Sequence, residues 1–220
     1  MAGQLSTVSA PSGTAPAADA GAFLSRLVRL DPAALVRLRP AGAGRTALWA
    51  ALPWGVLVTR TVDGPVPDDR VTTAAALLSG AAEPPRRDGD WRQPLPPAAG
   101  RVLESLPVEV VRQAAAAAAA TLREVESDGL RGRAVGQRML RDALLDHVVI
   151  TGKSDIDDVP FSVPQRLVQA VVRMGFLGTS GQVSVVTAGP WTGLAASFGT
   201  AWIRATSALT VRPIASRPIG

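Results

Sequence analysis

Cysteine and tyrosine are absent from this chain, and histidine and lysine occur once each, as His147 and Lys153. Without cysteine there is no disulfide, no thiolate metal site and no cysteine nucleophile, which excludes a disulfide-stapled secreted scaffold and fits a reducing cytoplasm. Acid–base catalysis draws mainly on His, Cys, Lys, Tyr and paired carboxylates. With one imidazole and one ammonium available, no catalytic residue, cofactor or metal is assigned, and a non-enzymatic protein is expected. Long apolar runs are missing as well. Arg, Asp or Pro interrupts every hydrophobic stretch before the roughly 20 residues that a membrane helix requires, and the alanine run Ala114 to Ala120 is bracketed by Arg112 and Arg123. No membrane span is expected. The first twenty residues lack both the basic start and the apolar run of a signal peptide, and 1–20 reads as a disordered tail. Finally, acid is missing from the end of the chain. The net charge is +5, and no Asp or Glu follows Asp158, so Arg166, Arg173, Arg204, Arg212 and Arg217 stand uncompensated there.

What is present is a hydrophobic fraction of 47 % in 220 residues, enough for a sizeable core. From Gly21, Phe23, Leu24, Leu27, Val28 and Leu30 recur at helical spacing until Asp31-Pro32 ends the helix. Three extended stretches follow, Ala34 to Arg39, Thr46 to Leu52 and Val56 to Val62. They are separated by Ala41-Gly42-Ala43-Gly44 and Pro53-Trp54-Gly55, the pattern of an antiparallel meander. Asp68 and Asp69 can cap a helix from about Val71 to Leu78, stopped by Ser79-Gly80. Residues 21–80 are therefore expected to form a small α-β-β-β-α domain. Proline density and low hydrophobicity make 81–100 a linker, in which Trp91 either docks back or is offered to a partner.

The remainder, 101–211, is expected to be a helical domain ending in a β-hairpin or small meander, followed by a basic tail over 212–220; the fold class is α+β. Helices are predicted at Arg101 to Leu106, Glu109 to Glu126 and Ala134 to His147, and Val148 to Thr151 either extends the last or forms a short strand. Ser162-Val163-Pro164-Gln165 has the pattern of a capping box with Pro inside the start, so a helix should run to Met174 and stop at Gly175. Val183 to Thr187, Leu194 to Phe198 and Thr200 to Arg204 read as strands, with Trp191, Phe198 and Trp202 as hairpin core.

Two motifs invite a chemical reading. Thr151-Gly152-Lys153-Ser154 carries the Gly-Lys-Ser that closes a phosphate-binding loop, but His147 stands where that loop needs its first Gly, and Pro160 follows where its helix should begin. It is read as a polar turn, beside which Asp155, Asp157 and Asp158 offer at most a weak cation site. The second motif is Arg166, Gln169 and Arg173 on one helical face, ahead of Gly-bearing strands. This arrangement resembles the recognition helix and wing of a winged-helix DNA-binding domain over the last third of the chain. The short Asp157 to Phe161 stretch replaces the helix that should precede it. The resemblance implies a cytoplasmic regulator that binds duplex DNA through Arg166, Gln169, Arg173, Arg204 and Arg212, with the N-terminal domain used for a protein partner or self-association. The alternative is a protein-interaction adaptor without nucleic-acid affinity, in which the N-terminal sheet edge and Trp91 make the contact.

Overall fold

The computed structural model describes residues 18–127, 143–154 and 157–205. In order they form α1 (Ala18–Leu30), β1 (Leu35–Pro40), β2 (Arg45–Ala51), β3 (Leu57–Asp63), β4 (Arg70–Thr73), α2 (Ala74–Leu78), β5 (Arg101–Pro107), α3 (Val108–Ser127), β6 (Val148–Lys153), β7 (Pro160–Pro164), α4 (Gln165–Arg173), β8 (Gln182–Ala188), β9 (Trp191–Ala196) and β10 (Gly199–Arg204). Eight strands make one sheet in the order β4-β1-β2-β3-β10-β9-β8-β5, antiparallel throughout, and β6 and β7 make a separate hairpin. The fold is mixed α and β, dominated by the antiparallel sheet.

The N-terminal elements follow from their sequence. Phe23, Leu24 and Leu27 of α1 are buried, the stripe that a 3.6-residue period presents to a core. Asp31 ends the helix, its amide bonding the Leu27 carbonyl and its carboxylate receiving the Ala33 amide at 2.9 Å. The β1–β2 turn needs left-handed backbone at three successive residues, Gly42, Ala43 and Gly44 with φ of 73°, 49° and 67°, which explains two glycines in four residues. The helix expected from Val71 begins only at Ala74, because Val71 and Thr72 pair with β1 as β4. Thr73 caps α2 by accepting the Ala76 amide at 3.2 Å. Asp68 and Asp69 do not cap it; they pair with Arg86 and with Arg37 and Arg39.

The C-terminal part departs further from expectation. Arg101 to Leu106 is strand β5, not helix, paired with β8 across a bulge that turns Leu103 into the core. It was hidden because its apolar residues break strict alternation at that bulge. Most of the helix expected over Ala134 to His147 lies outside the described residues, leaving a helical turn at 143–146. Val148 to Thr151 is strand. Ser162 belongs to β7, and α4 starts after Pro164 without a side-chain cap. Gly175 does end it, at φ 64°, where its absent side chain leaves room for the Arg26 guanidinium. The last three strands are not a wing: with β5 they make half of the large sheet.

The two halves join at a seam where β3 pairs with β10, Val58 opposite Ala201. One cross-strand row runs through the seam without a break: Thr72, Val36, Ala50, Val58, Ala201, Leu194 and Val185, each at most 1 % exposed. Side chains directly opposite in neighbouring strands lie on one face, so this row is the floor of a single core shared by residues from 36 to 201. The next row on the other face, Arg37, Trp49, Thr59, Thr200, Ala195, Ser184 and Ser105, is mostly small or polar. Above the core face, the ring of Phe23 in α1 stacks on Phe176, just after α4, with centroids 6.2 Å apart. Both rings are fully buried.

Residues 81–100 contain no strand, yet they are held. The Arg87 amide bonds the Val71 carbonyl at 2.7 Å, and Asp88 receives the Val71 amide at 2.6 Å, so this segment covers the outer edge of β4. It must then reach β5 at the opposite edge, seven strand spacings or about 34 Å away. On the way Gln93 and Pro94 come beside Leu57 and Trp191, and Pro97 beside Gly189. The stretch is a strap.

Candidate functional site

At one end of the seam the chain leaves a cleft of about 420 Å³. Leu52 and Val56 of the β2–β3 turn, Leu57 at the start of β3, and Trp191 back it while almost fully buried; half-buried Ala51 and Ile203 give apolar surface, Asp146, Arg166 and Arg204 supply charge, and Gln93 and Pro94 of the strap form a rim. The turn Pro53-Trp54-Gly55 overhangs α4 because two reciprocal hydrogen bonds hold it there. Trp54 Nε1 donates to the Arg166 carbonyl at 3.3 Å, and Arg166 Nη1 donates to the Trp54 carbonyl at 3.1 Å. Gly55, at φ 78°, lies against that guanidinium. Arg166 Nη2 pairs with Asp146, on the helical turn at 143–146. Its Nε is out of contact with water and has no hydrogen-bond partner among the described residues.

The residues expected to read DNA are therefore not one surface. Leu167, Val168, Ala170 and Val171 of α4 are buried against the core. Arg166 is committed to Trp54 and Asp146. Gln169 is half-buried, and in the amide orientation that satisfies both groups its oxygen accepts from Arg173 Nε at 3.0 Å. Arg173 is exposed. Arg204 comes instead to the cleft and makes no ion pair among the described residues. Arg212 lies outside the described residues. Trp91 is half-buried, its Nε1 donating to the Gln93 carbonyl at 2.6 Å, so it folds onto its own strap. Of the aromatic residues expected in a hairpin core, Trp191 is buried, but Phe198 is exposed on the β9–β10 turn with the Arg60 guanidinium 5.5 Å from its ring centroid.

The Gly-Lys-Ser triplet has a structural explanation. Gly152 and Lys153 are extended in β6, and Gly152 faces Phe161 across the hairpin, where a Cβ would come within 2.6 Å of the ring. Lys153 pairs with Asp158 at 3.2 Å. Among the described residues no helix N-terminus follows, so they hold no geometry for cradling phosphate at this triplet. Among the described residues no group of three His, Cys, Asp or Glu could hold a metal ion, and no helix is long and apolar enough to cross a membrane. Asp155 lies outside the described residues, while Asp157 pairs with Arg101.

These observations define a class of protein: a strapped α+β module built on one large antiparallel sheet, with helices on one face and a charged cleft at the seam. The chain belongs to the family described as domain of unknown function DUF8185, whose profile matches residues 95–208; residues 10–101 match a second profile, domain of unknown function DUF8010. No curated protein matches. Among solved structures, the chain is similar to the DNA polymerase III beta subunit of Thermotoga maritima, with 12 % identity and a TM-score of 0.49 over 86 % of this chain and 62 % of that one. It is also similar to the DnaN sliding clamp of Bartonella birtlesii bound to griselimycin, with 10 % identity and a TM-score of 0.47 over 87 % and 63 %. The Pseudomonas aeruginosa beta subunit gives 10 % and 0.46 over 82 % and 61 %. The chain thus spans about three fifths of the length of these proteins, and likeness at this level leaves its function to its own residues.

The structure corrects the winged-helix expectation. The supposed wing is part of an eight-stranded sheet, and the supposed recognition helix is largely buried. The transcription-regulator reading that depended on it falls with it. Sequence reasoning missed Asp146, Trp191 and Ile203 as cleft residues. The one available signal was Trp54-Gly55 in a tight turn, but nothing local indicates that this turn meets residue 166.

Proposed function

We propose that this chain is a non-catalytic protein-interaction module, and that the seam-end cleft receives a segment of a partner protein. The observation that carries this reading is the cleft itself: a hollow of mixed lining in which half-buried Ala51 and Ile203 lie beside two guanidinium groups, within the size range of small-ligand and side-chain pockets. The sheet edges are poorer candidates. The strap covers β4, and β5 is blunted by its bulge, by Glu104 accepting the Ser105 amide at 2.7 Å, and by Pro107. Duplex DNA has no dedicated face in this reading, since Arg166 is tied internally and Gln169 binds Arg173.

The test is a peptide-display selection on the full chain, followed by titration of the enriched peptides monitored by tryptophan fluorescence. Pro94→Trp, at an exposed position on the rim, should obstruct the cleft without altering the sheet and weaken binding about tenfold or more. If no peptide is enriched, or if enriched peptides bind Pro94→Trp unchanged, the cleft is not a docking site.

A further inference from the structure

We infer that the segment bound in this cleft carries a carboxylate beside an apolar side chain, and that this carboxylate displaces Asp146 from Arg166. The inference rests on the docking role proposed for the same cleft. It begins from charge: the lining holds two guanidinium groups and one carboxylate, and Arg204 makes no ion pair among the described residues. The charge left unbalanced is therefore positive, and it adjoins the half-buried Ala51 and Ile203.

The two partners of the existing ion pair are unequally held. The Arg166 side chain is 20 % exposed and that of Asp146 65 %. Arg166 is fixed by its bond to the Trp54 carbonyl, by the packing of Gly55 against it, and by its place in α4. Asp146 has no other hydrogen bond among the described residues. A guanidinium offers five donors in a rigid fork that suits bidentate carboxylate. Here one nitrogen serves Trp54, one serves Asp146, and the third, Nε, is desolvated without an acceptor. A ligand carboxylate can take the Asp146 place while Arg166 stays where it is, and Arg204 adds attraction from the rim. Asp146 then acts as an internal stand-in for the ligand.

The other end of the seam provides the contrast. There Arg60 pairs with Asp19 at 2.9 Å in a niche of about 260 Å³. Phe198 already lies against that guanidinium, and apart from it the niche has no large apolar side chain. A ligand there would gain a charge contact and little burial. Only the Arg166 end adds a second guanidinium, that of Arg204, without an ion pair among the described residues, beside half-buried Ala51 and Ile203.

The experiment uses the full chain and the peptides selected on it. Selected sequences should be enriched in Asp or Glu next to Leu, Ile, Val or Phe. Replacing that acid by its amide in a synthetic peptide should weaken binding about tenfold or more, as should Arg204→Ala, because charge-assisted hydrogen bonds in a partly dry site are the stronger kind. Asp146→Asn, which removes the competing carboxylate at an exposed position, should strengthen binding of the acidic peptide several-fold and leave the amide peptide unchanged. Peptides that lack acid, or an acid-to-amide change without effect in peptides that Pro94→Trp still blocks, would overturn the carboxylate and leave the docking site standing. Loss of all binding sensitive to Pro94→Trp would remove both.

Discussion

Replacing Phe176 by Ala tests whether the two halves of the sheet form one cooperative unit. Phe176 follows α4, its ring is fully buried, and it stacks on Phe23 of α1, so it links helices that cover opposite halves of the sheet. Truncating a buried Phe removes its transfer free energy and leaves a cavity, together about 3–5 kcal/mol; loss of the aromatic pair is counted within that range. For a chain of this size each kcal/mol shifts the midpoint by about 2–4 °C, so Tm should fall by about 6–20 °C. The diagnostic result is where the loss is felt. The buried row from Val36 to Val185 crosses the seam unbroken, so the amides of β1–β3 and β8–β10 should lose hydrogen-exchange protection together. Thermal or urea unfolding should also stay a single transition. If exchange in β1–β3 is unchanged while β8–β10 open, or if two transitions separate, the shared core does not couple the halves and the reasoning from the row is wrong.

Other expectations follow from particular contacts. Proteolysis within the strap, at 81–100, should yield two fragments that still co-elute under native conditions, because the β3–β10 seam and the Phe23–Phe176 stack do not depend on chain continuity; fragments that separate would contradict this. The Arg37 hydrogen bond, with the charges of Arg37 and Arg39, holds the Asp69 carboxyl below its ordinary value against the opposing effect of burial. Its contribution to stability is therefore present above about pH 4 and is lost as pH falls through the lowered folded-state value. Asp69→Asn should remove that part of the acid limb in a stability profile, and an unaltered limb would refute the assignment. Gly152→Ala should destabilise the β6–β7 hairpin, whereas Lys153→Ala should change stability by less than about 1 kcal/mol, as an exposed pair does. Neither should alter a thermal shift with ATP, which should be nil; a saturable ATP response abolished by Lys153→Ala would restore the nucleotide reading.

Several elements were legible in the sequence because their signals are local. The α1 stripe, the three meander strands, and the glycine stops at Gly80 and Gly175 all follow from periodicity and from φ requirements that only a few residues meet. The β4 strand was not legible, because Val71, Thr72 and Thr73 take an extended form only through pairing with β1. Nor was β5, whose bulge disguises its alternation. For the site, Arg166 and Arg204 were picked out by type and by the lack of nearby acid, but the role inferred for Arg166 assumed that its helical face met solvent.

What the sequence determined by itself is the chemical inventory: no thiol, one imidazole, an acid-free end, and local propensities for short strands and helices with defined stops. Those are properties of residue types and their near neighbours. Which residues meet was decided by tertiary structure. Trp54 and Arg166 are 112 positions apart, and Val58 and Ala201 are 143 apart. Their contact depends on how eight strands order themselves to bury one continuous apolar face, and that is a property of the whole sheet.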